Sequence, residues 1–338
     1  MKLLLYDKTN AFLTPGGKTT HAIKLQQELC KKGVDAQFAR WWDESQSDAD
    51  IIHFLTPDIV VAKLAQKRGI KTFCSQIMDF ETSKTQFEKT VTKIKNIVVD
   101  RFPQLSSSGA YWKAFAYMDK IQFMHKYDKE TALQYFKSYI RKSKVTIIPH
   151  AYDPSDINIS NHLNINQLGL PSKYLVSCAH ISPRKQTIKL ARFAKMAQVP
   201  IVFIGGGMKS DPYFKEFENE IDNKFVFYTG YVNKEWKDCI ESHAAGFVLL
   251  SKGESGCISV YEAAAYHLPL LLSDLPWAWG YDAPTDIHFC AQQNEKIACE
   301  QLRNFFADSG KLDHFPFRAM TWEEVTDLYI KEYKDMLV

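Results

Sequence analysis

The feature that most constrains the fold is a repeated alternation of short apolar runs with longer amphipathic stretches. Apolar runs such as 2–6 and 200–204 have the length of buried strands, and the stretches between the runs have helical periodicity. An alternating order of strands and helices predicts parallel sheets built from βαβ units. Because ligands bind beyond the carboxyl ends of the strands in such sheets, candidate site residues are sought in the loops that follow strands.

The alternation occurs in two blocks, separated by segment 150–172. This segment is rich in Asn, Ser, Asp and Pro and has no sustained period, which predicts a linker. Before it we predict strands at 2–6, 35–40, 50–54, 70–74, 97–99, 120–124 and 144–148, with helices at 19–32, 58–68, 83–95 and 128–139. After it we predict strands at 174–178, 200–204, 225–228, 246–250 and 269–273, with helices at 186–197, 212–221, 233–242 and 257–267. A last amphipathic helix over 321–337 has Thr321 as its N-cap.

Length and composition agree with two globular domains. The chain has 338 residues, of which 46% are hydrophobic and 24% charged, so disordered and collagen-like classes are excluded. The seven cysteines include no Cys-x-x-Cys pair, which argues against a disulfide framework or a structural zinc site and favours a reducing cytosol. No stretch approaches the roughly 18 apolar residues that span a bilayer, and Leu3–Leu5 is too short for a signal-peptide core. We therefore expect a cytoplasmic protein.

Charge divides unevenly between the two blocks. The net charge of +3 combines +9 over residues 1–150 with −6 over residues 151–338, so the two halves are expected to meet different partners. Segment 84–144 alone holds 13 Lys and Arg against five Asp and Glu, interleaved with aromatic residues. Such a surface suits an anionic membrane, and the alternative is an ordinary solvated face over a core of aromatics. With no recognised nucleic-acid-binding fold and a pI of about 8.3, nucleic acid is not expected as a partner.

The segment from Phe247 to Asp274 carries the clearest functional signal. An apolar strand leads into a loop of small residues, a helix and a second strand, with Glu254 in the loop and Glu262 about two turns later. Backbone N–H groups at the start of such a helix can bind a phosphate. A buried Glu262 requires hydrogen-bond donors such as ribose hydroxyls, whereas an exposed Glu262 would be an ordinary helical glutamate.

The Glu-x7-Glu spacing, followed by Ala-Ala-Ala-Tyr-His-Leu-Pro-Leu-Leu-Leu-Ser, resembles the signature of retaining glycosyltransferases of family four. Further segments resemble that family in the same order along the chain: 14–17 with 29–34, 147–153, 176–185, 201–207 and 228–232. The resemblance implies an α/β fold of the GT-B type, with two Rossmann-like doubly wound domains facing a central cleft. It implies an acceptor domain over 1–165, a donor domain over 170–315, and a C-terminal helix, 318–338, that crosses back to the N-terminal domain.

The resemblance also implies residue roles. Glu254, Lys185 and Arg184 would act in catalysis, with Glu254 bonded to hydroxyls of the donor sugar and Lys185 to the diphosphate. Glu262 would bind the ribose. The full set of donor-binding residues would be Gly17, Arg184, Lys185, Gly230, Tyr231, Val232, Glu254, Gly256, Cys257, Ile258, Ser259 and Glu262. No metal or other cofactor would be required, because cations and helix N-termini offset the charge of the leaving diphosphate.

Several positions depart from the family's pattern. His180 stands where the family usually has an arginine, and Arg184 is the candidate replacement for that cation. Gln76 and Asp79 stand where many members have a histidine near the reacting centre, and we assign them to the acceptor side. His53 matches a common family position, also on the acceptor side, although a histidine at a strand end can equally be structural.

The function implied is transfer of a hexose-type sugar from a nucleotide diphosphate sugar, with a UDP-sugar favoured, to a glycan or lipid-linked glycan acceptor. Retention of anomeric configuration would follow from attack on the same face. The expected pathway is synthesis of cell-surface polysaccharide or glycoconjugate, with peripheral contact to the inner face of the cytoplasmic membrane through residues 84–144. Two alternatives remain: a non-catalytic protein that binds nucleotide sugar or glycan on the same fold, and a sugar-nucleotide epimerase.

Overall fold

The computed structural model describes residues 1–9, 16–78, 81–106, 109–140, 144–154, 163–281 and 286–338. Within these residues the chain forms two compact units, one of residues 1–150 with 320–338 and the other of residues 151–319. No helix among the described residues is long and apolar enough to cross a membrane.

The first unit is a parallel six-stranded sheet with helices. In chain order its elements are β1 (Lys2–Tyr6), α1 (Gly17–Lys31), β2 (Asp35–Phe38), β3 (Ile51–Phe54), α2 (Ile59–Lys67), β4 (Lys71–Ser75), α3 (Gln86–Arg101), β5 (Lys120–Phe123), α4 (Lys126–Phe136) and β6 (Val145–Ile147). The strand order is β2-β1-β3-β4-β5-β6. Buried side chains pack on the sheet, among them Phe54, Phe115 and Phe123.

The second unit contains the other parallel sheet. Its elements are β7 (Ala151–Tyr152), β8 (Leu175–Cys178), α5 (Thr187–Ala197), β9 (Ile201–Ile204), α6 (Pro212–Glu218), β10 (Val226–Gly230), α7 (Lys234–His243), β11 (Gly246–Leu249), α8 (Ile258–Ala265), β12 (Leu270–Ser273), β13 (Ile287–Cys290) and α9 (Glu295–Asp308). The strand order is β10-β9-β8-β11-β12-β13. The chain therefore runs outward from β8 in one direction and from β11 in the other. The gap between β8 and β11 is the switch point at which such sheets bind ligands.

The last segment returns to the first unit, as β14 (Met320–Thr321) and α10 (Trp322–Leu337). The predicted N-cap is confirmed: the Thr321 side chain accepts from the Glu324 amide, and Glu324 bonds back to the Thr321 amide. α10 packs against α1 and β4 of this unit. It buries Tyr329 and Tyr333 completely, so the helix is part of the first unit's core.

The predicted strand at 97–99 is wrong, because these residues continue α3. Their β-branched sequence, Ile-Val-Val, is typical of a strand. However, a capping box between Thr85 and Glu88 starts a helix upstream, and its periodicity continues to Arg101. Only Val99 of the three is buried, which a strand inside a sheet would not allow.

The aromatic residues of segment 84–144 are mostly core. Trp112, Phe115 and Phe136 are buried and pack against one another, with the rings of Trp112 and Phe136 stacked at 5.3 Å. The alternative in which the aromatics of this segment form core therefore holds for these three residues. The exposed apolar residues of the segment are mainly aliphatic and lie on α3.

Candidate donor site at the switch point of the second sheet

Three predicted residues meet at the switch point. Arg184 and Lys185 lie in the loop after β8, and Glu254 lies in the loop after β11. Because β8 and β11 are neighbouring parallel strands, both loops leave the same edge of the sheet. The sheet topology therefore brings together side chains that are about 70 residues apart in the sequence.

Glu254 is the centre of this cluster. Its Oε1 atom lies 2.6 Å from an Arg184 guanidinium nitrogen and 2.7 Å from Lys185 Nζ, and it accepts a hydrogen bond from the Ser251 hydroxyl at 2.5 Å. Arg184 also donates to the Gly253 carbonyl at 3.0 Å. Both Glu254 and Lys185 are buried, so these contacts occur in a region of low dielectric, where charge-assisted hydrogen bonds are strong.

Glu254 and Lys185 both favour their charged forms in this cluster. Burial by itself would raise the pKa of the Glu254 carboxyl, but Lys185 and Arg184 hold that pKa below its ordinary value. Burial opposes the charged form of Lys185 as well, yet Cys257 and Glu254 raise the pKa of its ammonium. Two cations thus face one carboxylate. Lysine and arginine are also the side chains that form charge-assisted hydrogen bonds with anionic groups such as phosphates.

A left-handed residue fixes the Arg184–Lys185 loop. Gln186 has φ of +52°, a backbone conformation that residues other than Gly, Asn and Asp seldom adopt. It is buried, and its amide donates to the Leu250 carbonyl at 2.7 Å and to the Gln292 side chain at 2.9 Å. These bonds tie the loop after β8 to the end of β11. Backbone strain of this kind is found where a loop must hold neighbouring side chains in place.

The start of α8 provides backbone donors beside the cluster. Its N-cap residue, Cys257, makes no side-chain cap within the described residues, and Cys257 Sγ lies 3.8 Å from Lys185 Nζ. Ile258 and Ser259 open the helix, and Gly256 precedes the cap. The first amides of a helix have no partners within the helix and carry a partial positive charge, so they favour an anion.

Glu262 belongs to a second cluster, at a partly exposed position. Its Oε2 atom lies 3.0 Å from Lys237 Nζ, and the same ammonium lies 2.9 Å from Glu241 on α7. Burial opposes the charged form of Lys237, but Glu241 and Glu262 raise its pKa well above the usual value. Burial raises the pKa of the fully buried Glu241 to about 7, and Lys237 offsets this only in part. Glu262 is therefore neither a plain exposed glutamate nor an isolated buried one.

The segment 230–232 lies at the end of β10. Gly230 has φ of +71°, and its carbonyl accepts from the Gly205 amide at 3.0 Å. Gly205 is also restricted, because a Cβ there would lie 2.1 Å from the Ala179 carbonyl oxygen. Tyr231 is almost fully exposed, whereas Val232 packs partly against the core. These glycines allow the loops after β8, β9 and β10 to approach one another closely.

The other predicted residues belong to the first unit. Gly17 is the first residue of α1. Gln76 follows β4, and its amide donates to the carbonyl of Ile77 at 2.6 Å. Asp79 falls outside the described residues.

His53 is fully buried within the first unit. Its two ring nitrogens lie 2.7 Å from the Tyr333 hydroxyl and 2.7 Å from the Ser75 hydroxyl. Burial lowers the pKa of this imidazole to about 3. Since both nitrogens are engaged and the ring is neutral, the geometry favours the structural alternative for His53.

Sequence interpretation missed three residues of the site: Gln186, Lys237 and Glu241. The left-handed conformation of Gln186 leaves no mark in a sequence pattern. Lys237 and Glu241 stand four residues apart on a predicted helix, a spacing that does predict an ion pair. That spacing could not show that Glu262, on another helix, completes the cluster. The described residues contain no group of three or more His, Cys, Asp or Glu side chains placed to hold a metal ion.

Comparison with known families gives one match. Residues 159–313, which make up most of the second unit, match the family model described as glycosyl transferases group 1. A search of curated proteins found no match.

Solved structures match both units. Sucrose-phosphate synthase from Thermosynechococcus elongatus is 12% identical, with a TM-score of 0.69. AviGT4, a glycosyltransferase involved in avilamycin A biosynthesis, is 14% identical, with a TM-score of 0.64. Anabaena Alr3699/HepE in complex with UDP and glucose is 13% identical, with a TM-score of 0.64. Each alignment covers 99% of this chain and 98% of the other. At such low identity the likeness shows the fold, which is GT-B.

Proposed function

We propose that this protein transfers a hexose-type sugar from a nucleotide diphosphate sugar to a glycan or lipid-linked glycan. The proposal starts from the match of residues 159–313 to glycosyl transferases group 1. The observation that carries the proposal is the pairing of the buried Lys185 and the partly exposed Arg184 with the buried Glu254 at the switch point. Three structures of one similar protein, Anabaena Alr3699/HepE, hold UDP or UDP-glucose, which supports a UDP-sugar as the donor.

The cation-rich cluster is suited to the diphosphate. Lys185 and Arg184 both lie at the Glu254 carboxylate, and the first amides of α8 add partial positive charge next to them. As the bond between the anomeric carbon and the phosphate oxygen breaks, negative charge grows on the leaving diphosphate. Fixed cations and amides at that point stabilise the transition state more than the ground state. In this proposal no metal ion is needed for that role.

Retention would follow from attack on the face from which the diphosphate leaves. The acceptor hydroxyl oxygen bonds to the anomeric carbon while the bond to the phosphate breaks, and its proton passes to the leaving phosphate oxygen. The protein supplies position and charge rather than a side-chain base. Glu254, held as a carboxylate, would accept hydrogen bonds from hydroxyls of the donor sugar.

Glu262 would hold the ribose. Each ribose hydroxyl that donates to a carboxylate contributes on the order of 1.5–3 kcal/mol. Lys237, at 3.0 Å, keeps the Glu262 carboxylate in place from one side. The proposal thus assigns the diphosphate to the cation-rich cluster and the nucleoside to the acidic one, which is how a domain with net negative charge can bind an anionic donor.

A donor panel tests the proposal. Thermal unfolding is followed with UDP-, GDP- and ADP-sugars for the wild-type protein, for Glu262→Gln and for the control Glu235→Gln on the exposed side of α7. We expect one nucleotide series to stabilise the wild type and the control, since a donor at a hundred times its Kd contributes roughly 2.7 kcal/mol. Glu262→Gln should bind that donor at least about tenfold more weakly, so its stabilisation at the same donor concentration should fall to roughly half. Equal responses of all three proteins would contradict the assignment of Glu262.

Product analysis separates the alternatives. Release of nucleoside diphosphate from the stabilising donor, with or without an acceptor, identifies a transferase. Donor binding without release, for every glycan offered, would favour the non-catalytic binding protein. Conversion of the donor into an isomeric nucleotide sugar would favour the epimerase.

A further inference from the structure

An apolar stripe on α3 faces away from the protein. The α3 stripe consists of Phe87, Val91, Ile94, Ile97 and Val98, and it continues past the helix with Phe102 and Leu105. Steps of four, three and four residues place Phe87, Val91, Ile94 and Val98 on one face of the helix. Every one of these side chains is exposed, among them Phe87 at 78%, Ile97 at 70% and Ile94 at 59%. A surface helix of a globular protein normally buries its apolar face, so the orientation of α3 is inverted.

Polar contacts on the opposite face fix this orientation. Asp100 accepts hydrogen bonds from Trp112 Nε1 at 2.8 Å and from the Tyr139 hydroxyl at 2.5 Å. Thr92 accepts from Lys84 Nζ at 2.9 Å, and Val99 is the buried apolar residue of the helix. Turning the stripe inward would break these contacts and expose Trp112. The outward direction of the stripe is therefore built into the unit.

The charges around the stripe are mostly positive. Lys95 and Arg101 are exposed on α3, with Lys95 along one edge of the stripe and Arg101 at its end, and Lys93 lies along the other edge. Of the two acidic residues of α3, Glu88 is part of the capping box and Asp100 faces the protein. An apolar face bordered by cations is complementary to a surface that is apolar inside and negative outside.

We propose that α3 and the turn after it dock the first unit on an anionic lipid membrane. The helix would lie in the plane of the interface, with the α3 stripe among the acyl chains and Lys95 and Arg101 at the headgroups. At about 1.5 Å per residue, α3 is about 24 Å long, too short and too polar to span a bilayer. The proposal is independent of the donor chemistry, because all its residues lie in the first unit and outside the candidate donor site.

Vesicle flotation tests it. The full-length protein is mixed at low salt with vesicles of phosphatidylcholine alone or of phosphatidylcholine with phosphatidylglycerol. We expect flotation with the anionic vesicles only, and less at high salt. Ile94→Ser with Ile97→Ser should reduce binding at least about tenfold, and Lys95→Gln with Arg101→Gln on the order of tenfold. The control is Ile297→Ser, which changes an exposed isoleucine on α9, and it should float as the wild type does.

Three results would overturn the proposal. The first is failure of the wild-type protein to float with anionic vesicles at low salt. The second is undiminished flotation of the stripe variant. Thermal unfolding checks that this variant folds, and its stability should be unchanged because both substituted side chains are exposed. The third is a dimer that the stripe variant converts to monomer, without vesicle binding by the wild type, which would assign the α3 stripe to a second copy of the chain.

Discussion

At the scale of single residues, the candidate site consists of charges whose state depends on burial and on their partners. Glu254 remains a carboxylate because two cations outweigh its burial, whereas Glu241 is close to losing its charge because one shared lysine does not. The resemblance to a known family pointed to Glu254, Lys185 and Glu262. It could not predict Glu241, since burial of a helical glutamate depends on the packing of α7 rather than on local sequence.

The buried Glu241 predicts a pH-dependent effect on stability. Its pKa is raised on folding from an ordinary value of about 4.5 to about 7, so the folded state favours the protonated form. Its contribution to stability is therefore complete at low pH and is lost as the pH rises through about 7. Glu241→Gln should increase the free energy of unfolding by on the order of 1–3 kcal/mol at about pH 8 and by much less at about pH 4.

Urea unfolding of the wild type and the variant at the two pH values measures this difference. Glu235→Gln, on the exposed side of the same helix, is the control and should show no pH-dependent gain. A gain from Glu241→Gln that is the same at both pH values would contradict the raised pKa.

At the scale of elements, loops and helix ends decide which parts of the fold a sequence pattern can predict. The alternation predicted both sheets and most helices. The strand assigned to 97–99 is helical, because the capping box between Thr85 and Glu88 starts a helix upstream and outweighs a short β-branched run. β13 and α9 were not predicted. The loop that holds Lys185 was predicted by its motif, while the residue that fixes it, Gln186, was not.

The Gln186 loop predicts a linked loss of stability and donor binding. Gln186→Ala removes the hydrogen bonds to Leu250 and Gln292 and keeps a side chain at φ of +52°, so it should cost about 1–3 kcal/mol and weaken donor binding. Gln186→Gly loses the same bonds but relaxes the backbone, and should cost less.

Gln198 offers a matched control, because it also has a left-handed conformation, φ of +57°, at the exposed end of α5. Gln198→Ala should leave donor binding unchanged in the thermal-shift measurement. If Gln186→Ala binds donor as the wild type does, Gln186 does not position Lys185.

The contact between α10 and β3 predicts a structural role for His53. Tyr333→Phe removes the hydroxyl that contacts His53 Nδ1 and leaves that buried nitrogen without its partner, at a cost of about 1–3 kcal/mol. Chemical unfolding measures this cost. Donor hydrolysis should be unchanged at temperatures where the variant is folded, and a large fall in hydrolysis with unchanged stability would instead support a role for His53 in the reaction.

At the scale of the whole molecule, the charge asymmetry of the sequence matches the two different ligands that we propose for its two halves. The basic first half carries the outward-facing α3 stripe, which we propose binds anionic lipid. The acidic second half carries the candidate donor site, where Lys185, Arg184 and helix amides act locally against the overall sign of the domain. The net charge of a domain indicates which charged partners it attracts. A donor site depends instead on a few residues in the loops at the switch point of a sheet.

Above all, we propose that Lys185 supports departure of a nucleoside diphosphate from a sugar. The most direct measurement is the rate at which nucleoside diphosphate is released from the stabilising donor by the wild type, by Lys185→Ala and by Lys252→Ala. Lys252 is an exposed lysine in the loop that carries Glu254, so it controls for loss of a positive charge nearby. We expect release by the wild type and the control, and a rate at least about a hundredfold lower for Lys185→Ala. Equal rates for all three proteins, or no release by the wild type from any donor that binds, would contradict it.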